Sequence, residues 1–563
     1  MLKRSRLTIV LLLFVIIALS VGCNPTTTPT APSSTTTARQ PVLAANQVLR
    51  IPIAAEPATI DPQKSAGSIN LQIVMLVFEN LLTYDTVGKL VPAAATSLPT
   101  ISPDGLVYTF KLRDGLKYSD GQPLTARDFE FGWKRSLDPT MGYGYAFSGY
   151  ILKGGLAYNH ADPSKLSKDE LQKLRDAVGV KALDDKTIEF TLEQPAAYFP
   201  NLVAIWTGLA TRQDVIEKGG TKWTEPPTYI GNGPYVLKEW EHGVKFVFEP
   251  NPNYRAGTPT ISRIERLIVE RSTFMGYQNN ELDAMWVDPE VLTAMQNNAE
   301  LKKQSVPVPQ SGTSMLVFGV TRKPFDNTKV RQAFSMAIDR QALVNGVDKG
   351  MGIVAEQLVP PGIPGHYSNL KTLKFDSVAA KKLLTDAGYP EGKGLPEIKL
   401  THLAGEHVYA EFIQAQFKEN LGVDIKLDPM DSKARSPLLR SPETYPQLIF
   451  MPGGGWHQDY PDPQDWYSTI FHSKATAWAY NYWNNVEFDK LTEQADAERD
   501  TMKRDALYKQ AAQILMDEAP VAYLEHLMAA ALIKPWVKQC QPSALDLFFL
   551  CRGSILQMYI EQH

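Results

Sequence analysis

Asp376-Ser-Val-Ala-Ala-Lys-Lys-Leu-Leu-Thr-Asp-Ala-Gly388 is followed by Glu397-Ile-Lys-Leu400, then by Glu406 through Leu421, then by Gly422 and Val423-Asp-Ile-Lys-Leu427. The short acid Asp376 suits an N-cap, because its carboxylate can accept a backbone N–H that has no partner in the first turn. Val378, Ala380, Leu383, Leu384 and Ala387 supply the apolar positions of a helix that stops at Gly388. Residues 397–400 and 423–427 alternate polar and apolar, as strands do. A second helix runs from Glu406 to Leu421 and is stopped by Gly422. Helix, strand, helix and strand at this spacing predict an α/β lobe.

The same reading extends outward. Asn327 caps a helix whose inner face is Val330, Ala333, Phe334, Ala337 and Ile338. Residues 487–518 have a helical pattern that ends at Pro520. In the first half, Val107-Tyr-Thr-Phe-Lys-Leu112 and Ile188-Glu-Phe-Thr-Leu192 alternate as half-buried strands. Thr125 and Asp128 open a helix that carries Phe129, Trp133 and Leu137 inward. The folded body starts near Gln47-Val-Leu-Arg-Ile-Pro-Ile53.

A chain of 563 residues is too long for one hydrophobic core, so two or three lobes are expected. The formal net charge of -4 excludes a general attraction to nucleic acid. The cysteines are Cys23, Cys540 and Cys551, with no CxxC spacing, which disfavours a zinc or thioredoxin-like site. Cys540 and Cys551 form a short-loop disulfide in an oxidising compartment, or remain two buried thiols.

Lys3, Arg4 and Arg6 precede an apolar run from Leu7 to Leu19, the form of a signal peptide. The run ends in Leu19-Ser20-Val21-Gly22-Cys23, which resembles a lipobox with Ser20 where leucine is usual. That resemblance implies cleavage before Cys23 and lipidation of its sulfur. Residues 24–40 are Thr, Pro and Ser with almost nothing apolar, so they form an extended tether.

Catalytic signatures are absent: there is no HExxH, no G-x-S-x-G and no G-x-G-x-x-G after a strand. The nine histidines are scattered, no metal or other cofactor is expected, and the chain is not read as an enzyme. Gly453-Gly-Gly-Trp-His-Gln-Asp-Tyr-Pro-Asp-Pro463 is the informative stretch. Glycines beside Trp456 let a ligand backbone approach while the ring stacks on it. Asp459, once buried, needs a cation such as an α-ammonium group. A Gly/Pro-rich surface loop in which Asp459 caps a turn accounts for the same residues.

Several ordered blocks carry a resemblance that spans the chain from about residue 50 to the end. They include Glu56-Pro-Ala-Thr-Ile-Asp-Pro62, Phe78-Glu-Asn-Leu-Leu-Thr-Tyr84, Gly231-Asn-Gly-Pro-Tyr-Val-Leu-Lys-Glu-Trp240, Asn251-Pro-Asn-Tyr254 and Val330-Arg-Gln-Ala-Phe-Ser-Met-Ala-Ile-Asp-Arg340. The chain resembles the family 5 extracellular solute-binding proteins, which are the oligopeptide-, dipeptide- and nickel-binding proteins of ABC importers. The resemblance implies an α/β, two-lobed periplasmic-binding-protein-like clamp of class II type with an extra inserted domain. The N-terminal reading above makes 1–22 the signal peptide and 23–46 the tether, and the likeness supplies the bounds that follow. Lobe I is 47–79, 208–310 and 527–563, the insert is 80–207, and lobe II is 311–526. Crossover strands near 306–312 and 522–527 form the hinge.

The resemblance also places ligand contacts. Asp459 takes the peptide's ammonium group, and Gly455, Trp456 and His457 pair with the peptide backbone as an added strand. Tyr145 faces the ligand from the insert, and Gly67 and Ser68 lie near another peptide-contacting loop. The arginines that bind the ligand carboxylate in some members have no match around 448–454. The implied role is capture of peptides by lobe closure and delivery to ABC permease subunits, by a monomer lipid-anchored on the outer face of the cell membrane. That place is the periplasmic space where a second membrane exists. An oligosaccharide or nickel chelate is the alternative ligand, and a surface hydrolase or an adhesion or chaperone-like module is the alternative class.

Overall fold

A computed structural model describes residues 42–269, 273–475, 481–544 and 551–563. The expected signal peptide, Cys23 and most of the expected tether lie outside these residues. Among the described residues, no helix is long and apolar enough to cross a membrane.

The folded body, Leu43–His563, is a two-lobed α/β clamp built on three main sheets. The first sheet orders its strands Val48–Ile53, Arg263–Ile268, Lys245–Pro250 and Tyr235–Glu241. Its first pair is parallel and the others antiparallel. The second sheet, also four-stranded, orders Thr100–Ile101, Val107–Lys111, Thr187–Thr191 and Val180–Ala182. Phe110 and Ile188 pair across it and are fully buried. Helix Ala126–Ser136 packs Phe129 and Trp133 into the same core. The expected capping box is present at its start, with the Thr125 backbone N–H donating to Asp128 Oδ2 at 2.7 Å.

The third sheet has seven strands and is organised by two long ones, Ser305–Phe318 and Val521–Ile533. They pair antiparallel from Ser305↔Leu532 to Val317↔Val521, with the register shifting between Pro309 and Thr313. Met315, Val317, Val521 and Tyr523 enter one core, whereas Leu316, Phe318, Ala522 and Leu524 enter another. That alternation is the two-residue period of a strand covered on both faces. On the first core lie helices Val486–Ala497 and Thr501–Glu518, and on the second Thr328–Met336 and His407–Leu421.

Local expectations for this half mostly match the observed elements. Asn327 and Asp376 accept backbone N–H bonds as N-caps. Gly422, at φ 73°, ends helix His407–Leu421 in the left-handed conformation. The two expected strands are displaced downstream, to Lys399–Leu403 and Lys426–Met430. The single helical stretch expected over 487–518 is two helices, separated at Glu498–Asp500, where Asp500 caps the second. Val378, expected on an inner face, is 78% exposed. It follows the cap closely and points away from Ala380 and Leu384, which carry the packing.

Candidate functional site

Strand Leu448–His457 lies beside Ser305–Phe318 in the third sheet. It pairs regularly from Leu448↔Phe318 to Met451↔Met315 and resumes at Trp456↔Thr313 and His457↔Gly312. Five steps on one strand match two on the other, so the register shifts between Met315 and Thr313. Gly312 is required where the pairing resumes. A Cβ there would come within 2.8 Å of the His457 ring and of Leu527.

The other edge of Leu448–His457 pairs with Lys399–Leu403 only at Leu448 and Ile449. Among the described residues, no strand pairs with Phe450, Met451 or Trp456 on that edge. A strand edge without a neighbour presents backbone donors and acceptors at regular spacing.

Downstream of the edge, a tight turn brings three acids together. The Asp459 backbone N–H donates to Asp465 Oδ2 at 2.9 Å, and Trp456 Nε1 donates to the same oxygen at 3.2 Å. Asp465 therefore fixes both the Trp456 ring and the Asp459 main chain. Asp462 accepts two bonds from Arg504, at 2.9 and 2.7 Å, and one from Asn201 Nδ2 at 3.3 Å.

Tyr145 meets this turn from residues 80–207. Its ring packs 5.1 Å from Trp206 and 5.2 Å from Phe147, and its hydroxyl donates to Asp459 Oδ1 at 3.3 Å. Asp459 is half-buried. Burial pushes its carboxyl up to about 7, with the Tyr145 bond opposing the shift. Burial, and then the neighbouring Asp459, pushes the Asp465 carboxyl well above the usual carboxylate range. A cleft of about 820 Å³ opens beside this site, lined by Tyr143, Phe147 and Tyr150 on one side and Gln464, Ser468 and His472 on the other.

The structure thus brings Asp459, Trp456 and Tyr145 into one constellation, with His457 at the adjoining strand pairing. Trp456 is 4% exposed and packs with Met315 and Tyr523. Gly67 and Ser68 sit at the start of helix Ser68–Val77, both exposed, and no described contact joins them to Asp459. Asp465 and Asn201 were not anticipated from sequence. Asp459, Asp462 and Asp465 recur every third residue through a Pro-rich turn, a signal that could have shown the cluster. Among the described residues, no group of three or more His, Cys, Asp or Glu is placed to hold a metal ion. The Sγ atoms of Cys540 and Cys551 are bonded, with Cα atoms 5.1 Å apart.

The pattern describing bacterial extracellular solute-binding proteins, family 5 (middle part), matches residues 89–478. The chain belongs to this family. It is similar to the probable deoxycholate-binding periplasmic protein YgiS of Escherichia coli, with 31% identity over 88% of this chain and 91% of that one. The oligopeptide-binding protein OppA of Bacillus subtilis is 31% identical over 84% of this chain and 86% of its own. Among solved structures, the Escherichia coli murein tripeptide binding protein MppA superposes with a TM-score of 0.75. It is 29% identical, and the match covers 93% of this chain and 100% of that one. As a family 5 solute-binding protein, the chain is an extracytoplasmic substrate-binding component of ABC import.

Proposed function

We propose that this family 5 protein captures peptides by their amino end, closing two lobes around them, and delivers them to the permease subunits of an ABC importer. The observation that carries this reading is Asp459, a half-buried carboxyl beside Trp456, just past a strand whose outer edge has no described partner at Phe450, Met451 and Trp456. An α-ammonium group supplies the missing cation, and the ligand backbone fills the edge as an added strand. Relatives named for oligopeptides and a murein tripeptide support the ligand class.

In this reading, lobe I comprises 47–79, 208–310 and 527–563, the insert 80–207, and lobe II 311–526. The long strands Ser305–Phe318 and Val521–Ile533 cross between lobes, and their irregular pairing between Pro309 and Thr313 marks the hinge. The protein acts as a monomer tethered through lipidated Cys23, and it releases its ligand unaltered. Thermal melting with a peptide mixture tests the reading, because a ligand of the native state raises the melting temperature. The same mixture N-acetylated should leave the melting temperature unchanged; equal stabilisation by both mixtures would exclude the Asp459 contact. Recovery of hydrolysed peptide after long incubation would exclude a pure binding role.

A further inference from the structure

The cleft of about 820 Å³ beside Asp459 leaves apolar side chains open and its polar ones engaged. Tyr143, Phe147, Tyr150 and Leu156 line one side. Phe147 is 37% exposed and Leu156 47%, although both are large and apolar. One exposed leucine on a convex surface means little, but two such side chains in one concave, ring-lined space form a surface suited to an apolar partner. Across the cleft, Glu493 meets His472 at 3.2 Å and Lys474 at 3.6 Å. Asp496 accepts from the Ser468 hydroxyl at 2.9 Å and from the Tyr508 hydroxyl. The Gln464 side-chain oxygen accepts from Tyr460 and Thr469. What the lining offers a newcomer is therefore chiefly the rings and Leu156, while an entering carboxylate would face the acids Glu493 and Asp496.

We propose that this cleft is the subsite for the ligand's first side chain, and that it selects peptides beginning with a large apolar or aromatic residue. This rests on the reading of the ligand as a peptide held on Asp459 by its amino end. The cleft begins where that anchor ends. Tyr145 donates to Asp459 Oδ1 at 3.3 Å, and its ring lies 5.2 Å from the Phe147 ring that lines the cleft. On the opposite wall, Gln464 and Ser468 belong to the short helices Pro463–Trp466 and Ser468–Phe471, a few residues after Asp459. The first side chain of a peptide starts about 2.5 Å from its ammonium nitrogen, because one carbon carries both. A large side chain lying alongside the Tyr145 ring reaches Phe147 and Leu156, whereas a methyl group stops short of them. The volume falls in the range of pockets that hold whole drug-sized molecules, so the largest side chain enters without crowding.

The test uses alanine di- to pentapeptides, each also made with phenylalanine at the first position, with phenylalanine at the last, and with aspartate at the first. Affinities are measured by calorimetry at the length that binds most tightly. Phenylalanine at the first position should bind at least about tenfold more tightly than alanine there, and aspartate more weakly than alanine. Phenylalanine at the last position should gain less than about threefold. Equal gains at the two positions, or no gain at the first, overturn the proposal. Leu156→Glu places a charge in the cleft at a side chain that is exposed near the start of helix Gly155–Asn159. It should cut the first-position gain to less than about threefold while the all-alanine peptide binds within about twofold of its wild-type affinity. A gain retained in full overturns the proposal. Should this variant not fold, the same ratio is read in Phe147→Ala, with the same two outcomes. Failure of the underlying reading looks different: N-acetylation leaves the affinity of the phenylalanine-first peptide unchanged, or no peptide of the series binds.

Discussion

Tyr145 and Asp459 are 314 residues apart in sequence, and the tyrosine hydroxyl donates to the carboxyl at 3.3 Å. Nearby bonds tie the same two regions. Asn201 reaches Asp462, the Ala197 backbone donates to the Asp496 carbonyl at 2.9 Å, and Arg499 donates to the Ser102 carbonyl at 3.2 Å. The candidate anchor for a ligand is thus also a point where residues 80–207 touch residues from the C-terminal half of the sequence. On the proposed reading, ligand capture and this contact share one carboxyl.

Tyr145→Phe removes the hydroxyl and leaves the ring against Trp206. Asp459 then loses a donor that stabilises its charged form. The expected result is a three- to tenfold weaker peptide affinity at neutral pH, from the loss of about 1 kcal/mol of hydrogen bonding. The melting temperature should scarcely move, because the site is a surface of contact rather than a core. Calorimetry and thermal melting of the same samples check both halves.

Asp459 also fixes a pH dependence. Its folded-state carboxyl titrates at about 7, above its ordinary value, so the ligand-free folded protein holds this proton more tightly than the unfolded chain does. The resulting stabilisation is fully present below about pH 4 and is lost as pH rises through about 7. Ligand binding runs the other way, because an ammonium group pairs only with the ionised carboxyl. Affinity should fall by up to about tenfold per pH unit below about pH 7 and level off above it. Asp459→Asn should bind peptides roughly tenfold to hundredfold more weakly and remove both dependences. Calorimetric titrations from about pH 5 to about pH 8 measure this directly.

How far these features could be read from sequence depended on how local their causes are. Thr125 with Asp128, Asn327 and Asp376 act within one helical turn, and each caps the helix expected of it. The strand Ser305–Phe318 is different. Pro307 and Pro309 argue against a strand, since proline removes a ladder donor. They are tolerated because, over residues 305–309, the strand Val521–Ile533 is the only neighbour among the described residues. That pairing joins residues over two hundred positions apart, such as Thr313 and His526, and no local pattern encodes it. At the site, Trp456 and Asp459 stand out by residue type. Asp465 acts through one oxygen that orients both of them, a role visible only once the turn is folded.

The Cys540–Cys551 bond closes a short loop, with a sequence separation of 11. In the chain-entropy account a loop of this length contributes about 2–3 kcal/mol by restricting the unfolded chain. Cys551 is fully buried and packs in the same core as Met558 and Ile560, and the Ile560 carbonyl accepts from Gln47. Cys540→Ser with Cys551→Ser should lower the melting temperature by several degrees and leave peptide affinity within about twofold. A large loss of affinity without a loss of stability would show that the C-terminal segment belongs to the ligand site.

Gly312→Ala tests the strand pairing that positions the site. The added Cβ meets the His457 ring and Leu527 Cδ1 at 2.8 Å, closer than a real methyl group can sit. Both contacts are made by side-chain ends, the His457 ring and Leu527 Cδ1. His457 is paired opposite Gly312, and Leu527 belongs to the long strand beside it. Relief comes from turning those side chains aside or from separating Gly312 from His457, and separation displaces Trp456 and, through Asp465, the Asp459 main chain. Overpacking of this kind costs about 1–3 kcal/mol. The expected outcome is a lower melting temperature together with a peptide affinity reduced at least about tenfold, because a displacement of about 1 Å is enough to spoil a site built on short bonds. If Gly312→Ala loses stability and binds peptides like the wild type, the strand pairing supports the fold without setting the geometry of the anchor.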